Sequence, residues 1–194
     1  MKNEGFSLLE MLVVVAILAV AALILLQIFS GTLRGNSKAQ VLGSIKQNGQ
    51  SALDTMDKVI RNAGAYVCPL PASGSTTSGS TLVIQNRDGS FTRYKFIAPT
   101  ATTNGYVLQD KTAAGGAVPN CSDTPASYQV LTDTDKKTGV SITGGTFTIN
   151  KEGSSNSITI EFTGEPGLDF QAVLGSQVDN VKFKTSVTMR LYNL

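Results

Sequence analysis

The chain has 194 residues, a formal net charge of +2 and charged side chains at only 15% of its positions. About a quarter would be usual for a soluble globular protein. The basic residues are scattered and form no run, which argues against binding to nucleic acid or another polyanion. Histidine is absent, so the commonest general base near neutral pH and the commonest metal ligand are both missing. The composition therefore argues against an enzyme and predicts neither a metal nor a cofactor.

The deficit of charge is concentrated near the N-terminus, because residues 11–30 contain no charged side chain. As an α-helix, the run from Phe6 to Phe29 would extend about 36 Å and could cross a hydrocarbon core of about 30 Å. Glu10 is the only ionisable side chain inside this run. A carboxylate in lipid costs on the order of a few kcal/mol unless a partner satisfies it, so we predict a functional role for Glu10.

Three interpretations of this segment compete. A cleaved secretory signal normally has an apolar core of about 7–15 residues followed by small residues at a cleavage site. The run here is longer, and residues 30–33 match such a site poorly. A plain signal anchor explains the length but not the order at the start: a short polar leader, a glycine, an aromatic residue, and a carboxylate four residues later. The third interpretation accounts for all of these features.

The stretch Gly5-Phe6-Ser7-Leu8-Leu9-Glu10 resembles the type III signal of type IV prepilins and pseudopilins. The resemblance covers about the first 30 residues. It implies that a prepilin peptidase cuts after Gly5, so that residues 1–5 are the leader and Phe6 becomes the N-methylated N-terminus. It also implies that Glu10 meets the N-terminal amine of a neighbouring subunit. Two opposite charges that are each costly alone in a low-dielectric bundle compensate each other there.

The same resemblance implies a structural subunit that is not an enzyme. Residues 6–30 would be a transmembrane and assembly helix, crossing the inner membrane once with the N-terminus in the cytoplasm and the head in the periplasm or outside the cell. The implied partners are other pilin or pseudopilin subunits, the prepilin peptidase, an inner-membrane assembly platform and the lipid bilayer before assembly. The subunit would end in a cell-surface filament.

Two features favour a minor subunit. Major pilins often carry a proline midway through the apolar run, and residues 19–27 have none. The stretch from Ser51 to Tyr66 loosely resembles the helix end of larger minor pilins and J-type minor pseudopilins. A pseudopilin of a type II secretion system remains an alternative, as does an adhesin or ligand-binding domain on a membrane anchor. An anchored hydrolase is disfavoured by the residue inventory.

Beyond the apolar run, apolar residues continue at helical spacing and predict an amphipathic helix over residues 31–66 that ends near Gly64. The members of this stripe are Val41, Ile45, Ala52, Leu53, Met56, Val59, Ile60 and Ala63. Four glycines should each weaken the helix by about 1 kcal/mol relative to alanine. They are Gly31, Gly35, Gly43 and Gly49. They predict either a bent or fraying linker or a segment that melts on assembly.

Residues 67–194 predict an antiparallel β-rich head, which with the N-terminal helix makes an α+β, pilin-like fold. Alternating or β-branched runs predict strands at 81–86, 91–97, 106–109, 128–132, 146–150, 157–163 and 181–191. Turn residues at 87–90 and 151–153 predict two hairpins. The Ala-, Ser-, Thr- and Gly-rich stretch from 72 to 80 predicts a flexible loop.

Cys68 and Cys121 have no spacing typical of zinc or redox motifs. They would pair in an oxidising compartment and stay free in the cytosol, and the export implied by the resemblance favours the disulfide.

Two weaker ligand hypotheses concern the head. Asp133 and Asp135, with Asp123 upstream, could bind Ca²⁺, although Lys136 and Lys137 oppose a cation and a solvated turn is the better interpretation. Tyrosines 94, 106 and 128 could bind a sugar or surface, but tyrosines on strands more often pack within a sheet.

Overall fold

The structure is a computed structural model that describes residues 7–69, 76–152, 155–170 and 178–189. One long helix, α1, is followed by nine strands within the described residues. The chain divides into two compact units, residues 1–40 and residues 41–194. The predicted α+β class is confirmed. The element bounds are α1 Leu8–Asn62, β1 Ala63–Cys68, β2 Thr76–Gly79, β3 Thr81–Asn86, β4 Phe91–Ile97, β5 Tyr106–Thr112, β6 Gln129–Val130, β7 Val140–Glu152, β8 Ser155–Pro166 and β9 Val181–Met189.

The strands form two antiparallel sheets in the second unit. The first sheet has the order β1-β3-β4-β5-β6, and the second has the order β2-β7-β8-β9. Most neighbours within each sheet are also neighbours in sequence, so hairpins build most of the head. The exceptions are β1 beside β3 and β2 beside β7. β2 lies between β1 and β3 in sequence but is the edge strand of the second sheet.

The main core lies where one face of α1 meets both sheets. From the helix it takes Ile45, Met56 and Ile60, each with no exposed surface. The first sheet adds residues such as Leu82 and Tyr94. The second sheet adds Ile142, Phe147, Ile149, Ile158, Ile160, Phe162, Phe183 and Val187. The predicted apolar stripe therefore faces the core, and of its members only Ala63 lies beyond the helix, in β1.

Gly49 is a packing position on that buried face. A Cβ built there would collide with the ring of Phe183 on β9. Apart from its chain neighbours and the backbone of the adjacent helical turns, a Cβ built at Gly31, Gly35 or Gly43 has no atom of the described residues within 4 Å. The four helical glycines therefore divide into one that packing requires and three in open space.

The structure differs from the predicted elements at several boundaries. The amphipathic segment is predicted to extend to residue 66, but α1 ends at Asn62 and the chain continues directly as β1. Residues 76–79 of the predicted loop form β2, while residues 72–75 lie outside the described residues. Lys151 and Glu152 of the predicted turn belong to β7, and Gly153 lies outside the described residues.

The two unpredicted strands form because partners in the fold supply their hydrogen bonds. β1 pairs with β3, and β2 pairs with β7 as a polar edge strand. On β2 the hydroxyl of Thr76 donates to Asn150 Oδ1 over 2.7 Å, and the hydroxyls of Ser78 and Thr148 lie 2.9 Å apart. Tertiary pairing of this kind overrides a weak local β propensity.

Candidate functional site

The start of α1 carries a helix cap that includes Glu10. The backbone N–H of Glu10 donates to the hydroxyl oxygen of Ser7 over 3.2 Å and to the carbonyl oxygen of Ser7 over 3.1 Å. Ser7 is thus the N-cap, and Glu10 is the third helical residue. A serine followed three residues later by a glutamate is the capping-box pattern. Gly5 and Phe6, the predicted cleavage and methylation residues, lie outside the described residues.

This geometry gives Glu10 a local role that our sequence interpretation missed, although the Ser-Leu-Leu-Glu spacing carries the signal. A carboxylate in the first turn of a helix is stabilised by the helix dipole, typically by about 0.3–1 kcal/mol. That gain offsets part of the cost of placing a carboxylate in an apolar environment. The position of Glu10 in the first turn therefore lowers the free-energy cost of its carboxylate in an apolar environment. Its side chain stays exposed in the isolated subunit.

The surface of α1 before residue 38 is uncovered, and up to Phe29 it is mostly apolar. Every side chain from Ser7 to Ser37 is exposed, including Leu18 and Leu25 at 62% and 66%. The most apolar window of 18 residues in α1 has a mean hydropathy of 3.1, and none of it is buried. By length and composition this helix could cross a membrane. An apolar surface of this size needs lipid or other protein around it.

A disulfide joins Cys68, at the end of β1, to Cys121, in the loop between β5 and β6. The two Cα atoms are 6.2 Å apart. The pairing predicted from the sequence is thus present in the structure. In the chain-entropy model, a cross-link that closes a loop of this length stabilises the fold by about 4 kcal/mol.

Two of the three acidic residues weighed as a calcium site, Asp133 and Asp135, cap a turn instead. Asp135 Oδ1 accepts hydrogen bonds from the backbone N–H groups of Thr138 and Lys137, each over 2.8 Å. The bonds to Thr138 and Lys137 lower the pKa of the Asp135 carboxyl. Asp133 Oδ1 accepts from the N–H of Asp135 over 3.0 Å. Within the described residues, no three acidic, cysteine or histidine side chains are grouped to hold a metal ion.

The three tyrosines do not form a common surface. Tyr94 lies in the main core, where its hydroxyl oxygen accepts from Gln109 Nε2 over 2.8 Å and burial raises its pKa. Tyr106 and Tyr128 stack with ring centroids 6.2 Å apart and hydroxyl oxygens 3.2 Å apart. Tyr94 is therefore a core residue, and the other two pack mainly on each other.

Comparison with known proteins yields one match, at the N-terminus. Residues 1–26 match the family described as the prokaryotic N-terminal methylation motif. Neither a curated protein nor a solved structure matches the chain. The matched residues include the capped start of α1 and most of its exposed apolar surface. The N-terminal region of this chain is therefore a type IV pilin-like prepilin signal.

Proposed function

We propose that this chain is the precursor of a subunit of a type IV pilus-like filament. The observation that carries the proposal is the continuity of the methylation motif with α1, whose side chains are all exposed from Ser7 to Ser37. A membrane anchor alone needs an apolar helix but not that motif. In the proposed subunit, residues 1–5 are the leader, residues 6–30 are the membrane and assembly helix, and the β-rich head remains outside the cytoplasm.

The proposed mechanism is extraction of the helix from lipid into a bundle of similar helices. A prepilin peptidase cuts after Gly5 and methylates the new amine of Phe6. The apolar surface then exchanges lipid for neighbouring subunits, with an inner-membrane platform driving assembly. Glu10 aligns each step by pairing with the N-terminal amine of a neighbour, because in the filament interior each charge compensates the other. The subunit thereby acts by assembly rather than by catalysis.

Within this class we propose a minor subunit, because the apolar run contains no proline. The second candidate is a minor pseudopilin of a type II secretion system, which the loose J-type resemblance of residues 51–66 favours. The genes beside this one separate the two. Pilus assembly genes would support the minor pilin, and secretion-channel genes would support the pseudopilin.

Processing is the first experimental test. Mass spectrometry of the membrane fraction should find a mature protein that begins at Phe6 and carries one added methyl group on its amine. A Gly5→Leu variant should accumulate uncut, because a side chain at that position obstructs the approach of a protease to the peptide bond.

The matched control is Gly31→Leu, which changes a glycine outside the motif and should be cut like the wild type. An intact Met1 terminus in the wild type, or cleavage beyond the apolar run, would contradict the proposal. The anchored-adhesin alternative predicts the intact terminus.

A further inference from the structure

The loop that carries Cys121 lies against the first sheet on the face opposite the main core. We call residues 113–128, between β5 and β6, the strap. The sheet residues Val83, Arg93 and Asp110 are directly opposite one another on three neighbouring strands and so share that face. Cys68 is paired with Val83 in the same register. The strap therefore covers the face on which Cys68 lies.

Two basic side chains of β4 hold the strap beside its cysteine. Arg93 Nη1 donates to the carbonyl oxygens of Asn120 and Asp123 over 2.8 and 3.3 Å. Lys95 Nζ donates to the carbonyl oxygen of Ser122 over 2.8 Å and to the hydroxyl oxygen of Thr124 over 3.1 Å. These bonds contact the residue before Cys121 and the three residues after it.

Arg93 is itself fixed in position. It is only 5% exposed, and its Nη2 donates to Asp110 Oδ2 over 2.8 Å. A buried, paired guanidinium has little freedom to move away when the strap moves, so it acts as a rigid donor. We call Arg93 and Lys95 the clamp. None of the clamp bonds includes a sulfur atom, so all of them can form while both cysteines are reduced.

We propose that the clamp folds the strap before the disulfide closes, and that it thereby positions the Cys121 thiol beside Cys68. Arg93 and Lys95 are positioning residues for the oxidation of this cysteine pair. The clamp would raise the effective concentration of one thiol at the other and favour the internal bond over mixed disulfides or bonds between subunits. A single hydrogen bond from a charged donor can change such an equilibrium about tenfold.

The reaction needs a disulfide oxidant, and oxidised glutathione is the probe. The thiolate of one cysteine attacks glutathione disulfide and releases one reduced glutathione. The thiolate of the second cysteine then attacks the mixed disulfide and releases the other. One glutathione disulfide is thus reduced to two glutathione molecules for each Cys68–Cys121 bond formed, and the two thiol protons pass to the released thiolates or to water.

The experiment measures the effective molarity of the two thiols in the full chain in detergent. The protein is equilibrated with defined ratios of reduced and oxidised glutathione, free thiols are alkylated, and the oxidised fraction is determined by mass spectrometry. Arg93→Met should lower the effective molarity about tenfold or more. Lys95→Met, which leaves the Arg93–Asp110 ion pair intact, should lower it about fivefold.

Two controls separate positioning from a general loss of stability. Lys95→Arg keeps a charged donor and should stay within about twofold of the wild type. Val187→Ala removes buried side-chain volume from the core at β9, far from the strap in sequence and on the other sheet. It should destabilise the head without changing the effective molarity.

The proposal is wrong if Lys95→Met stays within about twofold of the wild type, or if Lys95→Arg or Val187→Ala lowers the value as much as Lys95→Met does. Should Arg93→Met fail to fold, the Lys95 pair of variants decides alone. The outcome does not depend on the proposed filament function, because it is measured on the purified chain.

Discussion

The residues of α1 before Gln40 and after it differ in what surrounds their side chains. In the first part every side chain from Ser7 to Ser37 is exposed, although most of the residues up to Phe29 are apolar. In the second part, Val41–Asn62, one face is buried against the sheets, with Ile45, Met56 and Ile60 at 0% exposure. A helix that is apolar all round needs an apolar environment on every side, whereas an amphipathic helix needs it on one.

This difference separates two sources of stability within one helix. The second part gains its free energy from burial in its own head, which is complete in a single chain. The first part is exposed within the described residues. In the proposed function, lipid or other chains stabilise its apolar surface. The same substitution should therefore affect folding in one part and assembly in the other.

The largest expected effect is at Glu10. Glu10→Ala should be inserted and cleaved normally, because an apolar residue is more favourable in lipid than a carboxylate. It should assemble poorly, because a neighbour's amine loses its partner at a cost of roughly 3–5 kcal/mol. The measurement is the ratio of protein in sheared filaments to protein in the membrane.

Gln27→Ala is the matched control, since Gln27 is the other polar side chain between Leu8 and Phe29. It should leave the ratio near that of the wild type. An unchanged ratio for Glu10→Ala would show that other contacts drive assembly. Uncut or missing precursor would instead assign Glu10 to processing or insertion.

Two methionines provide the next test of the comparison. Met56 has no exposed surface, whereas Met11 is 60% exposed. Met56→Ala should lower the free energy of unfolding of the head by about 2–5 kcal/mol, because it leaves a cavity in the core. Met11→Ala should change it by less than about 0.5 kcal/mol.

Urea unfolding of the full chain in detergent can be followed by tyrosine fluorescence, since the chain has no tryptophan. Equal effects of the two methionine variants would mean that the two parts of α1 do not differ as described.

Two glycines in the second part of α1 compare a buried, packed position with an open one. Gly49→Ala should destabilise the head by about 1–3 kcal/mol, because the new Cβ overlaps the ring of Phe183. Gly43→Ala meets no atom and should stabilise the helix by about 0.5–1 kcal/mol. Thermal unfolding of both variants measures the difference.

The double variant Gly49→Ala/Phe183→Leu should lose less stability than the sum of its single changes, because the smaller side chain removes the overlap. Additive losses would show that the cost at Gly49 has another origin than this ring.

The smallest expected effect concerns surface charge on the head. Lys184 Nζ lies 2.9 Å from Glu161 Oε2 across β8 and β9, and this contact lowers the pKa of the Glu161 carboxyl from its ordinary value of 4.5. A lowered pKa in the folded state stabilises the head above the unfolded-state pKa. That contribution is lost as the pH falls through the folded-state value.

In Glu161→Gln and in Lys184→Met, the stability of the head should therefore decrease less than in the wild type as the pH falls below about 4.5. The double variant should reduce this decrease no further. Thermal unfolding as a function of pH tests this. A change as large as that of Met56→Ala would contradict our view that core burial, not surface charge, stabilises the second part.

Much of the fold follows from patterns that a sequence displays directly. The stripe that includes Ile45, Met56 and Ile60 repeats at helical spacing, and the strands at 81–86 and 91–97 have the predicted bounds. The strands β1 and β2 could not be predicted in this way. Gly64 predicts the end of a helix, and residues 76–79 predict a loop. The first lies in a strand because β1 pairs with β3, and the second form a strand because β2 pairs with β7.

The candidate site shows the same division between local and distant information. The spacing of Ser7 and Glu10 predicts the helix cap, because the cap depends only on residues that are close in sequence. The clamp on Cys121 depends on Arg93 and Lys95, which lie more than 25 positions before the bonded loop residues. Only the pairing of β3, β4 and β5 brings that arginine to the face that the strap covers.

The most direct test of the assembly role of the exposed helix is a photo-crosslinker at Val20, which is 59% exposed in the single chain. Sheared filaments would be irradiated and the crosslinked peptides identified by mass spectrometry. We expect crosslinks from Val20 to the apolar helix of another subunit, and none between subunits from the same crosslinker at buried Met56. A filament-associated protein whose Val20 forms no crosslink to any subunit would contradict the account.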